Sequence, residues 1–222
     1  MKRIKDNPIG VGLFLALESA LYLHLLCTNH FGSMFGSILV CFLFALWQRK
    51  KETRFLVIGM AFTVAADICL VLCNPQPKLL GMVFFLFAQT AYAIHLQSVR
   101  KKKEFLLLRS GLVIIALLIT ILVLGNKTDA LALVSLAYYA NLLMNIAEGF
   151  SQHSLNKLLP LGFVLFLLCD TVIGLQVAAD GYLAIRESST LYQILYPGFN
   201  LAWLFYLPSQ VLITLSHRCY RK

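Results

Sequence analysis

The sequence is poor in charge. Charged residues make up 13% of its 222 positions, about half the share of a typical soluble domain. Only ten residues are acidic, too few to solvate the surface of a soluble protein of this size. Histidine is also scarce, with five residues scattered along the chain. With isolated carboxylates, that pattern gives no metal site. No phosphate-cradling glycine loop, HExxH helix or GxSxG elbow is present. Ser19, Ser135 and Ser209 have no His–Asp pattern near them. Five of the six cysteines (Cys27, Cys41, Cys69, Cys73 and Cys169) fall within or at the ends of apolar runs, where thiols behave as small apolar groups. No disulfide framework is implied. Cys219 lies beyond the last run, at a juxtamembrane position where a cysteine can be acylated.

What the chain has in excess is apolar length. It is 59% hydrophobic, with a mean hydropathy of +0.79. A helix needs about 20 apolar residues to cross roughly 30 Å of hydrocarbon. On that measure the sequence predicts eight spans, over 9–27, 33–48, 55–73, 79–97, 105–124, 130–149, 158–179 and 191–216. The joints are brief and leave no room for a soluble domain. The expectation is an all-α polytopic membrane protein, one integral domain over 1–222. The MKRIK start before an apolar run imitates a signal peptide, but no small-x-small site follows, so a retained first span is expected.

The net charge of +9 could suggest nucleic acid. Its distribution points instead to topology. Sixteen of the nineteen basic residues fall on one side of the predicted spans: Lys2, Arg3 and Lys5; Arg49, Lys50, Lys51 and Arg54; Arg100, Lys101, Lys102, Lys103 and Arg109; Lys157; Arg218, Arg221 and Lys222. The other side carries Lys78, Lys127 and Arg186. The positive-inside rule then puts both termini in the cytoplasm. The RKKKE run reads as a topology anchor on anionic lipid rather than a nucleic-acid site.

Against this apolar background, intramembrane polar residues carry the functional information. A carboxylate at the bilayer centre costs about 2.5–3.5 kcal/mol even on the gentler scale, so it needs a partner, water or a task. Asp67, in TVAADICLVL, and Asp170, in LFLLCDTVIG, each fall twelve residues into an outward-running span. At 1.5 Å per residue both lie about 18 Å from the basic side. They share a depth, as two groups acting on one substrate atom would. Span six carries Tyr138, Asn141, Asn145 and Glu148 on one helical face, and span eight carries Asn200, Trp203, Leu207 and Gln210, with Tyr196 a turn earlier. Span four offers Gln89 and Tyr92, and span one Glu18 and Tyr22. These stripes are expected to converge on a polar interior, with the featureless spans two and five packed outside. The plainer alternative is that the carboxamides only join neighbouring helices, for about 0.6 kcal/mol each, and that Glu148 simply reaches water. His24 and His95, near span ends, read as structural.

The order of these motifs resembles the YhhN-like lysoplasmalogenase family of eight-span membrane proteins. The resemblance rests on Ala66-Asp67 followed by Leu70 and Leu72, and on FFLFAQTAY with Gln89 and Tyr92. It continues with Cys169-Asp170 in FLLCDTVIG, and with FYLPSQVLITLS, which holds Tyr206, Gln210, Leu212, Ile213 and Ser216. The sequence departs from the family pattern at Gln89, where a His is more usual, and at Ala66, where Gly is common. The resemblance implies hydrolysis of the vinyl ether bond of lysoplasmalogens, or of a related ether lysolipid, to a fatty aldehyde and a glycerophospho head group. Asp67 and Asp170 would be the catalytic acid and base, and Gln89, Tyr92, Asn141, Asn200 and Gln210 would position water or head group. Glu18, Tyr138, Asn145 and Glu148 are further candidates. No metal or cofactor is implied. The substrate would be a membrane lipid, and the expected location a bacterial cytoplasmic membrane. The same aspartates could instead serve a proton-coupled carrier of solute or lipid, or the chain could be a scaffold with no small-molecule site. Spans three and seven, each with an Asp, hint at two parallel halves of four spans.

Overall fold

A computed structural model describes residues 8–99, 103–152, 156–181 and 189–217. The basic anchors Lys2, Arg3, Lys5, Arg100, Lys101, Lys102, Arg186, Arg218, Arg221 and Lys222 lie outside the described residues, as does Cys219. The described chain is helical, with no strand among its residues. In order the helices are α1 (Pro8–Thr28), α2 (Phe31–Trp47), α3 (Arg54–Asp67), α4 (Lys78–Val99), α5 (Lys103–Leu124), α6 (Ala130–Ser151), α7 (Leu158–Gly181), α8 (Thr190–Leu195) and α9 (Leu201–Ser216). Among the described residues, six helical segments are long and apolar enough to cross a membrane, whereas α2 and α9, with 17 and 16 residues, are shorter.

Local chemistry sets the helix ends. Asn29 takes a positive φ of 51° after α1, a conformation Asn tolerates better than most residues. Asp129 caps α6 through its Oδ1, which accepts from the Ala132 amide at 2.7 Å. The eighth predicted span is not one helix. It breaks into α8 and α9 around Pro197 and Gly198, because proline cannot continue the hydrogen-bond ladder and biases the residue before it away from helical backbone.

Neighbour relations close six helices into a ring, in the order α2, α3, α4, α6, α7, α9 and back to α2. Helix α1 lies against α2 and touches α9, and α5 lies against α6. The expectation that spans two and five sit outside therefore holds for α5 alone. Helix α2 is a ring member, and α1 takes the outer place. Helix α2 carries a stripe of small residues spaced four apart, Ser33, Ser37, Cys41 and Ala45, of which Ser33, Ser37 and Cys41 bond α1 side chains; small residues let helix backbones approach. Lipid-facing surfaces are apolar, with Leu107, Leu122 and Val123 of α5 among the most exposed residues.

Two of the glycines mark close approaches between helices. A Cβ at Gly59 would stand 2.3 Å from the Tyr92 ring, so α3 and α4 meet there only without a side chain. A Cβ at Gly162 would meet Ile213 Cγ1 at 2.8 Å and the Ser209 carbonyl at 3.0 Å, which fixes α7 against α9. In the ring order, α3 and α7 stand opposite each other. These are the two helices that carry the aspartates.

Candidate active site

Asp67 is the last residue of α3. The chain continues into a π-helical turn, Ile68–Leu72, closed by the Cys73 amide donating to the Ile68 carbonyl at 3.1 Å. A π turn shifts the ladder by one residue and is frequent where a helix carries a functional group. The Asp67 side chain is buried, and its Oδ2 accepts from the Tyr206 phenol of α9 at 2.7 Å. Across the ring, Asp170 of α7 is half-buried and accepts a hydrogen bond from the Tyr138 phenol of α6. The two carboxyl groups are within electrostatic reach of each other.

Aromatic rings fill the space between them. Phe166, one turn before Asp170, lies 5.2 Å from the Tyr206 ring and 6.3 Å from the Tyr138 ring, centroid to centroid. Phe85 of α4 stands edge-on to Phe166 at 5.6 Å and packs against Tyr138 at 5.7 Å. Trp203 meets Tyr206 edge-on at 5.0 Å. Two carboxyl groups, each fixed by a phenol, thus stand in an aromatic chamber. These rings offer π-faces to a developing cation.

The other polar residues divide between this chamber and separate networks. Tyr92 lies beside Asp67, its hydroxyl 3.5 Å from that of Thr63, one turn before Asp67. Gln210 is buried one turn from Tyr206 on the same face of α9. Asn141, Asn145 and Glu148 converge on Arg109 instead. The guanidinium donates to Asn141 Oδ1 at 3.0 Å, to Asn145 Oδ1 at 2.9 Å and to Glu148 Oε2 at 3.0 Å. Gln89 joins them, its Oε1 accepting from Asn145 Nδ2 at 2.8 Å, and Gln97 donates to Glu148. Glu148 is fully buried in an ion pair and does not reach water. The span-six stripe is real, but it serves two sites: Tyr138 at the aspartates and the rest at Arg109.

Asn200 is no interior group. It caps α9, its Oδ1 accepting from the Trp203 amide at 3.5 Å, and its own amide donates to Asn29 Oδ1 at 3.3 Å. Glu18 lies between α1 and α2, accepting from Ser37 at 2.5 Å and from the Cys41 thiol at 3.5 Å. It adjoins a lateral groove of about 250 Å³ between α1 and α9, walled by Leu15, Tyr22, Leu207 and Val211. The span-one stripe therefore does not meet the aspartates.

Sequence reasoning missed Arg109 as a site residue, taking it for a topology anchor. Its position inside an apolar run was the available signal. It also missed Phe85 and Phe166, which nothing in an apolar span distinguishes from lipid-facing phenylalanines. Among the described residues no group of three or more His, Cys, Asp or Glu could hold a metal ion.

The fold and its buried polar groups define a polytopic helical membrane protein with a paired-carboxyl chamber. The YhhN family matches residues 33–217, most of the sequence, and the chain belongs to that family. No curated protein and no solved structure matches it.

Proposed function

We propose that the protein is an intramembrane hydrolase of ether lysolipids that cleaves the vinyl ether bond of a lysoplasmalogen or a close analogue. The observation that carries this reading is the pairing of Asp67 and Asp170, each held by a tyrosine, across an aromatic chamber. Membership of the YhhN family is consistent with it. Two carboxyl groups in one apolar site share a single proton, because two adjacent negative charges are costly there. The protonated member delivers its proton to the alkene carbon of the vinyl ether. The electron pair of the double bond forms the new C–H bond and leaves an oxocarbenium ion. The remaining carboxylate and the faces of Phe85 and Phe166 stabilise that cation. Water adds to the cationic carbon and returns a proton to the pair. The hemiacetal then collapses to a fatty aldehyde and the head-group alcohol. Tyr206 and Tyr138 hold the carboxyl groups in place, and Tyr92 and Gln210 position water. Gln89 and Asn141 support the site through the Arg109 network, not by direct contact with the aspartates.

In this reading the chain is one integral domain with eight crossings, α8 and α9 together making the last, in a bacterial cytoplasmic membrane. The basic end and both termini face the cytoplasm. One observation favours a second reading. The packing order repeats in two halves: α1 on α2, α2 on α3 and α3 on α4 correspond to α5 on α6, α6 on α7 and α7 on α9. Repeated halves with ionisable residues at mid-depth are also a carrier's architecture.

Aldehyde release from a lysoplasmalogen by the detergent-purified protein separates the two. Wild type should release aldehyde without a sealed vesicle. Asp67→Asn and Asp170→Asn should lose at least a hundredfold in turnover while keeping the wild-type elution profile, as expected for loss of acid–base groups. Full turnover by both variants would remove the two-acid mechanism. Uptake across vesicles without aldehyde would favour the carrier.

A further inference from the structure

On the basic side of the aspartates the inward surfaces of α4, α6 and α9 remain polar, and several of their buried atoms have no protein partner. Gln210 and His217 follow Tyr206 by four and eleven residues, which keeps all three on one side of α9, about 6 and 16 Å along its axis. All three are buried. Gln210 donates to Ser209 Oγ at 3.4 Å, and its Oε1 has no partner. His217 Nδ1 lies 3.0 Å from the Thr214 carbonyl. A carbonyl only accepts, so Nδ1 carries the proton and the unpartnered Nε2 presents a lone pair in the neutral ring. Gln152 donates through Nε2 to the Leu96 carbonyl at 3.1 Å, and its Oε1 has no partner. Nearer the aspartates, the Gln89 Nε2 donor is also unpartnered.

Three acceptors and one donor, supplied by three helix segments, are thus buried without protein partners. Leaving such a group unsatisfied costs about 1–3 kcal/mol each, and native proteins rarely tolerate it. One small molecule both donates and accepts and suits all four positions: water. Hydrolysis also consumes water, which must reach the aspartates past the aromatic rings around them. The Tyr206 phenol, one turn from Gln210, itself donates to Asp67 at 2.7 Å.

We propose that the inward face of α9, from Tyr206 through Gln210 to His217, forms a water-binding track that joins the aspartates to the basic end of the bundle. The track delivers the water that hydrolysis consumes. Only that use rests on the hydrolase reading; the existence of the track does not.

The test places a single cysteine at Gln210 in a chain whose native cysteines are replaced, in sealed vesicles of either orientation, and adds a small cationic methanethiosulfonate. Leu108→Cys is the control, because Leu108 is 59% exposed on the lipid face about as far from the basic end. The track predicts that Gln210→Cys reacts from the basic side at least tenfold faster than the control. Reaction at the control rate, or from the opposite side, would overturn it. His217→Cys, at the mouth, is the second position should Gln210→Cys fail to fold, and the same outcomes apply. On the wild-type cysteine background, Gln210→Leu should lower kcat about tenfold with KM unchanged, and Gln210→Asn should recover most of it. A wild type that releases no aldehyde would remove the hydrolase reading, and the labelling would still decide the track.

Discussion

Arg109 illustrates how much a single residue can cost or stabilise inside a membrane. Its guanidinium bonds two carboxamides and a carboxylate, all on α6. Helix α5 packs on α6 and on no other long helix to a comparable extent, so this network is the main polar tie that fixes its register. Removing one partner of a buried ion pair leaves an uncompensated charge, at about 3–5 kcal/mol. Arg109→Leu should therefore destabilise the protein by an amount in that range, read as the loss of thermal stability in detergent. Removing Glu148 in the same chain should recover part of it, since the stranded carboxylate goes too. If the double variant is as unstable as the sum of the single ones, the pair is not coupled. Asp67 and Asp170 differ in kind: each is met by a neutral phenol and not by a cation. A carboxyl group left without a counter-ion remains able to move a proton, which an ion-paired Glu148 is not.

At the level of elements, α9 shows how a sequence irregularity is absorbed by a neighbour. Pro208 lies inside the helix and has no N–H, so the Leu204 carbonyl four residues earlier loses its intrahelical donor. The Tyr22 phenol of α1 donates to that carbonyl at 3.0 Å. This contact ties the outer helix to the ring. It predicts a coupling: Tyr22→Phe should lower thermal stability in the wild-type background and do so much less beside Pro208→Ala, where the backbone N–H returns. Equal losses in both backgrounds would show that the hydroxyl serves something else. The π turn after Asp67 is a comparable irregularity in α3, placed directly after the residue that Tyr206 holds.

For the whole molecule, the ring of six helices and its two outer members follow one packing order twice. The repeat puts α3 and α7, the two helices that carry the aspartates, in equivalent and opposite positions. The charge asymmetry of the sequence predicts the orientation in the membrane. A cysteine placed at Lys157 should be labelled by an impermeant reagent only from the cytoplasmic side, and one at Lys127 only from outside. The reverse pattern would invert the molecule and place the mouth at His217 on the outer face.

The sequence by itself determined the helical class, the places where seven of the eight apolar segments begin and end within about two residues, and the family. These are local matters of apolar length, charge at the joints and proline chemistry. It also marked Asp67 and Asp170, since a carboxylate in an apolar run is conspicuous wherever the run folds. Only the tertiary structure decided which polar residues meet. Helical periodicity put Tyr138, Asn141, Asn145 and Glu148 on one face, but packing sent Tyr138 to Asp170 and the others to Arg109. It turned Asn200 into a helix cap and Glu18 toward α2. It placed α2 in the ring and α1 outside, although both read as apolar spans. In a bilayer, lipid and protein interior are equally apolar, so hydrophobicity cannot tell an inward face from an outward one. Small residues, hydrogen bonds and close contacts make that choice, and they are known only when the helices are assembled.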